Sequence, residues 1–316
     1  MTYNVNYQNY FEEEIVDGIF NIYKQKGFTS HDVVAVVRKI IQQKKVGHTG
    51  TLDPDAEGVL PICVGKATKL ADYIMEGRKE YRAVVTLGTT TTTEDASGEI
   101  IEKKEFTFDE QNITKAVTSF LGTYKQIPPM YSAIKVNGKK LYELAREGKE
   151  IERKAREITI YDIKITKFMP PEQFEIDVIC SKGTYIRTLC ADIGKKLNCG
   201  AHMYSLFRTS SSMFTLDTAI TLDKLKELAE KHQLQKALLP LEKVLQQYTS
   251  VVVSSKANKL LYNGNKIQEH FFEKTNGKIT QGQKVLGYDT NNVLIGLYEI
   301  SKENDRLYMK PLKILL

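Results

Sequence analysis

KKVGHTGTLDPDAEGVLPICVGKATK, residues 44–69, gathers His48, Asp53, Asp55 and Glu57 into a loop with four glycines and two prolines between apolar pieces. Three chemistries compete for it. A calcium loop is imitated by Asp53, Asp55 and Glu57 followed by Gly58. Val64, however, stands at the twelfth position, where a bidentate Glu is needed, and Pro54 and Pro61 stiffen the chain. A phosphate loop ending at Gly65-Lys66 would need glycine where Leu60 sits and Ser or Thr where Ala67 sits. The third chemistry is a single carboxylate, Asp53, presented by Pro54 and the flanking glycines. Such a group serves as nucleophile or base when an arginine fixes and ionises it. Most loop aspartates merely cap or turn the chain, and spacing alone leaves that reading ahead.

On the N-terminal side, GIFNIY (18–23) reads as a short apolar strand, and Thr29 or Ser30 caps a helix in which Val33, Val34, Val37, Ile40 and Ile41 recur at helical spacing. On the C-terminal side, YRAVVTLG (81–88) is strand-like, and TTTTTEDASGE (89–99) is polar and is expected to be a mobile turn. EITIYDIKITKF (157–168) and QFEIDVIC (173–180) alternate as strands. SKGTYIRTLCADIGKKL turns at Gly183 into a helix bearing Ile186, Leu189, Ile193 and Leu197. A helix at 222–232 precedes LLPLEKVLQQY (238–248), read as a connector. After Thr249 the pattern changes to short strands with glycine turns, a small all-β module of barrel type. The fold class is therefore α+β in two domains, without internal repeats.

Composition narrows the function. The chain has 316 residues, 41% hydrophobic and 27% charged, with no apolar run approaching the ~18 residues that span a bilayer. Its start is acidic and lacks the layout of a signal peptide. Cys63, Cys180, Cys190 and Cys199 form no C-x-x-C pair, as expected of reduced thiols in a cytoplasmic protein. Net charge is +6, concentrated in two segments: residues 135–156 and 249–316 each carry +4. Either segment alone reads as a solvated face. Together, with aromatic and glycine-rich neighbours, they suit a polyanion such as RNA or DNA.

Longer stretches carry a resemblance. Residues 44–69 closely resemble the signature of the bacterial tRNA pseudouridine-55 synthases, the TruB family. KEYRAVVTLGTTTTTEDASGE is similar to that family's second catalytic segment, and QIPPMYSAIKVNGKKLYELAREGKEIERKARE to its RNA-clasping insertion. CSKGTYIRTLCADIGKKLNCGAHMYSLFRT is similar to its arginine-bearing segment, and the tail with NGNKIQ and RLYMKPLKIL to a PUA-type RNA-binding domain.

The resemblance implies a catalytic domain at 18–248 with a mixed, largely antiparallel sheet flanked by helices. It also implies a clasping insertion at about 124–156, a PUA-like barrel at 249–316 and an N-terminal extension at 1–17. It implies an isomerase that detaches uracil from its ribose, rotates the base and rejoins it through carbon 5, with no metal or cofactor. Its substrate would be uridine 55 in the T-loop of tRNA, with the tail reaching the acceptor stem. The enzyme would act as a monomer in the cytoplasm without an obligatory protein partner. Asp53 takes the indispensable catalytic position. Arg187 would pair with it, and Tyr81 would stack on the base and assist proton removal from carbon 5. Tyr185 and Leu206 would line the uracil pocket, and His48 would fill the space the flipped uridine vacates. Lys24 keeps its place, where it would support the catalytic loop and count among the substrate-binding positions, although Tyr23 and Gln25 replace the usual Asp and Pro around it.

The physical logic is consistent with this set. A glycosidic carbon inside a folded RNA loop is reached only by flipping the nucleotide out, which costs a few kcal/mol that stacking and hydrogen bonds recover. Three rivals remain: a guide-RNA-dependent synthase of the archaeal and eukaryotic kind, a noncatalytic tRNA-folding chaperone on the same scaffold, and a calcium-binding protein, which a calcium titration showing no heat would remove. The short tail and the continuous insertion favour the stand-alone enzyme. Chaperoning is compatible with catalysis.

Overall fold

In the computed structural model, which describes residues 16–136 and 138–316, the run GVLPICV is buried without a break. That pattern requires an interior strand covered on both faces. The strands are β1 (Gly18–Lys24), β2 (Val46–His48), β3 (Glu57–Val64), β4 (Lys79–Leu87), the hairpin β5 (Thr89–Thr91) and β6 (Ile100–Lys103), and β7 (Gly122–Gln126). They continue with the short pair β8 (Lys135–Val136) and β9 (Lys139–Lys140), then β10 (Arg156–Met169), β11 (Gln173–Cys180), β12 (Ala201–Ser211), β13 (Phe214–Thr215) and β14 (Leu238–Leu239). The main sheet runs β14-β1-β3-β12-β4-β11-β10-β7, with β2 beside β3 and β13 beside β12. Its pairings are antiparallel except β3 with β12. The sheet is thus mixed and largely antiparallel.

Side-chain alternation explains why β3 is buried on both faces. Phe20, Ile22, Leu60 and Ile62 face one core, which holds Val33, Val34 and Val37 of α1 (Ser30–Ile40). Ile19, Val59 and Cys63 face another, which includes Leu286, Leu297 and Leu315 from the C-terminal strands. The sheet therefore carries α1 on one side and, on the other, the C-terminal strands together with short helical segments that bear Leu70, Ile74, Leu241 and Val244. Helix α1 starts at a capping box, in which Thr29 accepts from the Asp32 main chain and Asp32 accepts from the Thr29 main chain. The remaining helices of this lobe are α2 (Ala71–Ile74), α3 (Glu110–Thr118), α4 (Leu141–Arg146), α5 (Ile186–Lys196), α6 (Leu222–Glu230) and α7 (Leu241–Val244). Helix α5 buries Ile186, Leu189 and Ile193 against the first core.

From Thr249 onward the chain forms β15 (Thr249–Val253), α8 (Asn258–Tyr262), β16 (Ile267–Gln268), β17 (Phe272–Thr275), β18 (Lys284–Tyr288), β19 (Leu294–Glu303) and β20 (Arg306–Ile314). These strands form a curled six-stranded sheet, β16-β20-β19-β18-β15-β17, around Val251, Val253, Tyr298, Ile300 and Met309.

Two readings need correction. The polar stretch 89–99 is not a loose turn. β5 pairs with β6, and the Asp95 side chain accepts from Thr93 Oγ1, Ser97 N and Ser97 Oγ at 2.6, 3.0 and 2.6 Å. Ala96 N also donates to Met203 O at 2.9 Å, which ties the turn to the sheet. The stretch 238–248 is more than a connector, because β14 extends the main sheet beside β1. The extension read at 1–17 lies outside the described residues except for Val16 and Asp17, where Asp17 Oδ1 accepts from Lys66 N at 2.7 Å. All four cysteines are buried free thiols. Among the described residues no helix is long and apolar enough to cross a membrane.

Candidate active site

Asp53 sits between two main-chain anchors. Before it, Ser30 Oγ at the start of α1 donates to Leu52 O at 3.0 Å and accepts from Leu52 N at 2.9 Å. After it, Lys24 Nζ donates to Pro54 O at 3.0 Å and to Ala56 O at 2.6 Å, and Gly27 N donates to Pro54 O at 3.0 Å. Lys24 is wholly buried, and its remaining bond goes to Gln25 O at 3.0 Å. The three ammonium hydrogens are thus all directed at carbonyls of the loop and its neighbour. Lys24 holds the loop with Tyr23 and Gln25 on either side of it. Burial brings its pKa down to about 8, with Asp53 and Glu57 opposing the fall.

Arg187, on the first turn of α5 and 6% exposed, reaches Asp53 from the other side. Its Nε lies 3.1 Å from Asp53 Oδ2 and its Nη2 donates to Oδ1 at 3.4 Å, a two-point engagement of the carboxylate. Nη2 also donates to Tyr131 O at 2.7 Å and Nη1 to Thr93 O at 3.1 Å, with Asp95 Oδ2 3.6 Å from Nη1. One guanidinium thus joins four segments distant in sequence. The Asp53 side chain remains 35% exposed, so it faces solvent while its main chain is locked. Loss of water around Asp53 raises its carboxyl above the usual carboxylate range, and Arg187 pulls it back toward ionisation.

Tyr81 lies on β4 opposite Arg208 of β12, and Leu206 lies opposite Ala83 on the same pair of strands. Tyr81 and Leu206 are 7% and 8% exposed, so each shows only an edge at the surface. Burial pushes the Tyr81 phenol up, and the Arg208 guanidinium partly offsets this. Arg208 is itself fully buried, with Nε donating to Val59 O at 2.7 Å and Nη2 to Gly50 O at 3.2 Å. The approach requires glycine at 58: its φ is +107°, and a Cβ there would meet Arg208 O at 2.2 Å. Tyr185 caps α5, half-buried, with its phenol raised by burial. His48 ends β2, edge-on to His31 with ring centroids 5.3 Å apart, and burial lowers it to about 4. Its imidazole is therefore neutral at pH 7, suited to stacking rather than to pairing with a phosphate.

The structure brings Asp53 and Arg187 into contact and sets Tyr81 and Leu206 on adjacent strands. The Lys24 ammonium is turned away from solvent. Reading the sequence missed Ser30, Asp95 and Arg208. Asp95 carried a faint signal, since Asp-x-Ser-Gly is an Asx-turn pattern, whereas nothing local distinguishes Ser30 or Arg208. Among the described residues no group of three or more His, Cys, Asp or Glu is arranged to hold a metal ion.

The pattern of the TruB family pseudouridylate synthase N-terminal domain matches residues 38–186, and that of the tRNA pseudouridylate synthase B C-terminal domain matches 187–246. The chain belongs to the TruB family. A protein named tRNA pseudouridine synthase B from Alkaliphilus oremlandii (strain OhILAs) is 50% identical over 301 residues, covering 95% of this chain and 99% of that protein. One of the same name from Lachnoclostridium phytofermentans (strain ATCC 700394 / DSM 18823 / ISDg) is 48% identical over 310 residues, covering 95% and 100%. Among solved structures, a Cbf5-Nop10-Gar1 complex contains a chain that superposes with a TM-score of 0.72 at 28% identity, covering 95% of this chain and 85% of that one. A pseudouridine synthase of the TruB family is an isomerase acting on RNA.

Proposed function

We propose that the chain converts uridine 55 in the T-loop of tRNA to pseudouridine, with Asp53 as the reacting carboxylate. The observation that carries this reading is the two-point pairing of Arg187 with an Asp53 that keeps one side open to solvent. The bond from the sugar carbon to N1 of uracil breaks, a bond from the same carbon to carbon 5 forms, the carbon-5 proton leaves and N1 gains one. Reactant and product are isomers, so the balance needs no oxidant or second substrate. Arg187 orients Asp53 and favours its ionised form. In this reading Tyr81 offers the ring on which the flipped uracil stacks and assists at carbon 5, while Tyr185 and Leu206 border the pocket. His48, neutral and partly buried, fills the gap the nucleotide leaves.

In this reading residues 18–248 form the catalytic domain and 249–316 a PUA-like RNA-binding domain gripping the acceptor stem. The stretch 124–156 clasps the T-loop. The protein works alone, as a monomer, in the cytoplasm. The 50% identity over nearly the whole of a relative named tRNA pseudouridine synthase B, against 28% for the chain from the Cbf5-Nop10-Gar1 complex, supports the stand-alone reading over a guide-RNA-dependent one. The test is tritium release from carbon-5-labelled uridine in an unmodified tRNA transcript, with EDTA present and Asp53→Asn as control. Release by the wild type alone, limited to one uridine per tRNA, supports the reading. Tight binding without release would leave a tRNA chaperone.

A further inference from the structure

The geometry points to Gln126 as a positioning residue: its side chain grips the main chain of Tyr185 and so sets the start of α5, from which Tyr185 and Arg187 project. Gln126 is the last residue of β7 and only 1% exposed. Its Oε1 accepts from Tyr185 N at 2.8 Å, and its Nε2 donates to Tyr185 O at 3.0 Å and to the Tyr124 hydroxyl at 2.7 Å. The orientation of the amide is thereby determined, because Tyr185 N only donates and Tyr185 O only accepts; a flipped amide would face like with like. Helix α5 needs this restraint. Its N-cap, Tyr185, offers no side-chain cap, and its first turn has no acidic residue. Gln126 accepts from the N–H of the N-cap residue, as the N3 side chain of a capping box would, and so fixes the peptide from which the first turn departs.

The consequence for the site is geometric. Arg187 lies two residues beyond the gripped peptide and must hold Asp53 at 3.1 Å while reaching Thr93 O and Tyr131 O. Gln126 also marks the point where the chain leaves the sheet toward Tyr131, so the grip and the Tyr131 carbonyl tie one excursion of chain to α5 at two places. A rotation of the first turn would displace the guanidinium and the Tyr185 ring together.

The inference rests on the isomerase reading, and the experiment separates the two. Gln126→Met keeps length and removes every hydrogen bond. Gln126→Glu keeps shape; its ionised form accepts from Tyr185 N but opposes Tyr185 O, whereas its protonated form regains a donor. With full-length protein and an unmodified tRNA transcript, Gln126→Met should lower the single-turnover rate roughly 10- to 100-fold, the scale of misplaced reacting groups, and change tRNA affinity less than about threefold because phosphate contacts dominate affinity. The rate of Gln126→Glu divided by that of Gln126→Met should rise as pH falls. Tyr124, Asp192, Cys190, Arg156, Tyr185 and Arg187, the charged or titratable neighbours, are present in both variants and cancel in the ratio. The Tyr185 amide should be protected from hydrogen exchange in the wild type and lose protection in Gln126→Met. A wild-type rate in Gln126→Met, or a ratio flat with pH, overturns the inference. If the wild type itself released no tritium, the isomerase reading would fall, and unchanged Tyr185 protection in Gln126→Met would still decide against the grip.

Discussion

The loop around Asp53 and the basic stretch 135–156 are built on opposite terms. The loop is held by partners far away in sequence: Ser30, Lys24, Arg187 and Arg208 bond to Leu52, Pro54, Asp53 and Gly50 from buried or mostly buried positions. The basic stretch bonds mainly within itself. Lys139 and Lys149 share Glu147 at 3.1 and 2.8 Å, and Arg153 pairs with Glu150 at 3.2 Å, most of these charges being well exposed. Its own apolar anchor is small, Leu141 and Leu144 of α4. Chemistry needs atoms held to fractions of an ångström, whereas attraction to phosphates needs charge on the surface and tolerates movement. The contrast between fixed and local bonding supports the proposed division between a catalytic loop and an RNA-gripping arm.

Substituting the reacting pair breaks the comparison most directly. Asp53→Asn keeps the shape of the loop and removes one charge. Turnover should fall about 10⁴-fold or more, the scale seen when a catalytic carboxylate is neutralised, while tRNA affinity stays within about threefold because phosphate contacts carry it. Arg187→Lys should cost about 10²–10³-fold, since a lysine cannot engage both carboxylate oxygens or reach all the carbonyls at once. Single-turnover kinetics and a filter-binding titration check both. An Asp53→Asn protein that still turns over would show that the anchored loop is scaffold and not chemistry.

Lys24→Met sharpens the comparison by loosening the loop without touching Asp53. The Pro54 and Ala56 carbonyls would lose a charged donor, which costs about 1–3 kcal/mol, but the fold would no longer bury an ammonium. The two effects oppose, so net stability should move little at pH 7 while turnover falls about tenfold through misplacement of the loop. Lys24 has a folded-state pKa of about 8 against 10.5 unfolded. Between these values the unfolded chain binds more protons, so Lys24 makes stability rise with pH across that window, by no more than about 3 kcal/mol. Denaturant titrations at pH 7.5 and 9.5 should show Lys24→Met becoming less stable relative to wild type as pH rises. An unchanged difference would mean that the ammonium is not held in a dry site.

Much of this was legible from residues alone, and the misses share a cause. Helix α1 announced itself through Thr29 or Ser30 and the valine spacing, and β10 through its alternation, because those signals are local. The loop 44–69 stood out because acidic residues, glycines and prolines were crowded together. What stayed hidden depends on partners distant in the chain. The stretch TTTTTEDASGE looks mobile until Arg187, 94 residues beyond Thr93, draws the Thr93 carbonyl to itself. Nothing local to Lys24 shows where its ammonium is directed, and only the fold reveals that it points inward at three carbonyls. Arg208 follows Leu206 and Phe207 in an ordinary strand, and its bonds to Gly50 and Val59 exist only because β12 runs parallel to β3.

The basic stretch gives the smallest effect and tests the other half of the comparison. In this arm Lys140 and Arg146 lie over the Tyr142 ring at 5.3 and 5.4 Å, so the ring presents two cations together. Lys139 is already committed to Glu147. If these groups act as charge and not as shape, replacing Lys140 or Arg146 by Ala should flatten the plot of log affinity against log salt by about 0.7–0.9 for each phosphate no longer neutralised. Affinity for different tRNA sequences should drop uniformly, with the single-turnover rate at saturating tRNA nearly unchanged. Lys139→Ala should flatten it less, because Glu147 already offsets that charge in the free protein and must be released before Lys139 meets a phosphate. Equal slopes in all three variants and the wild type would return residues 135–156 to a solvated face; a fall in the saturating rate larger than the fall in affinity would move the arm onto the catalytic side, among the groups that must be held in place.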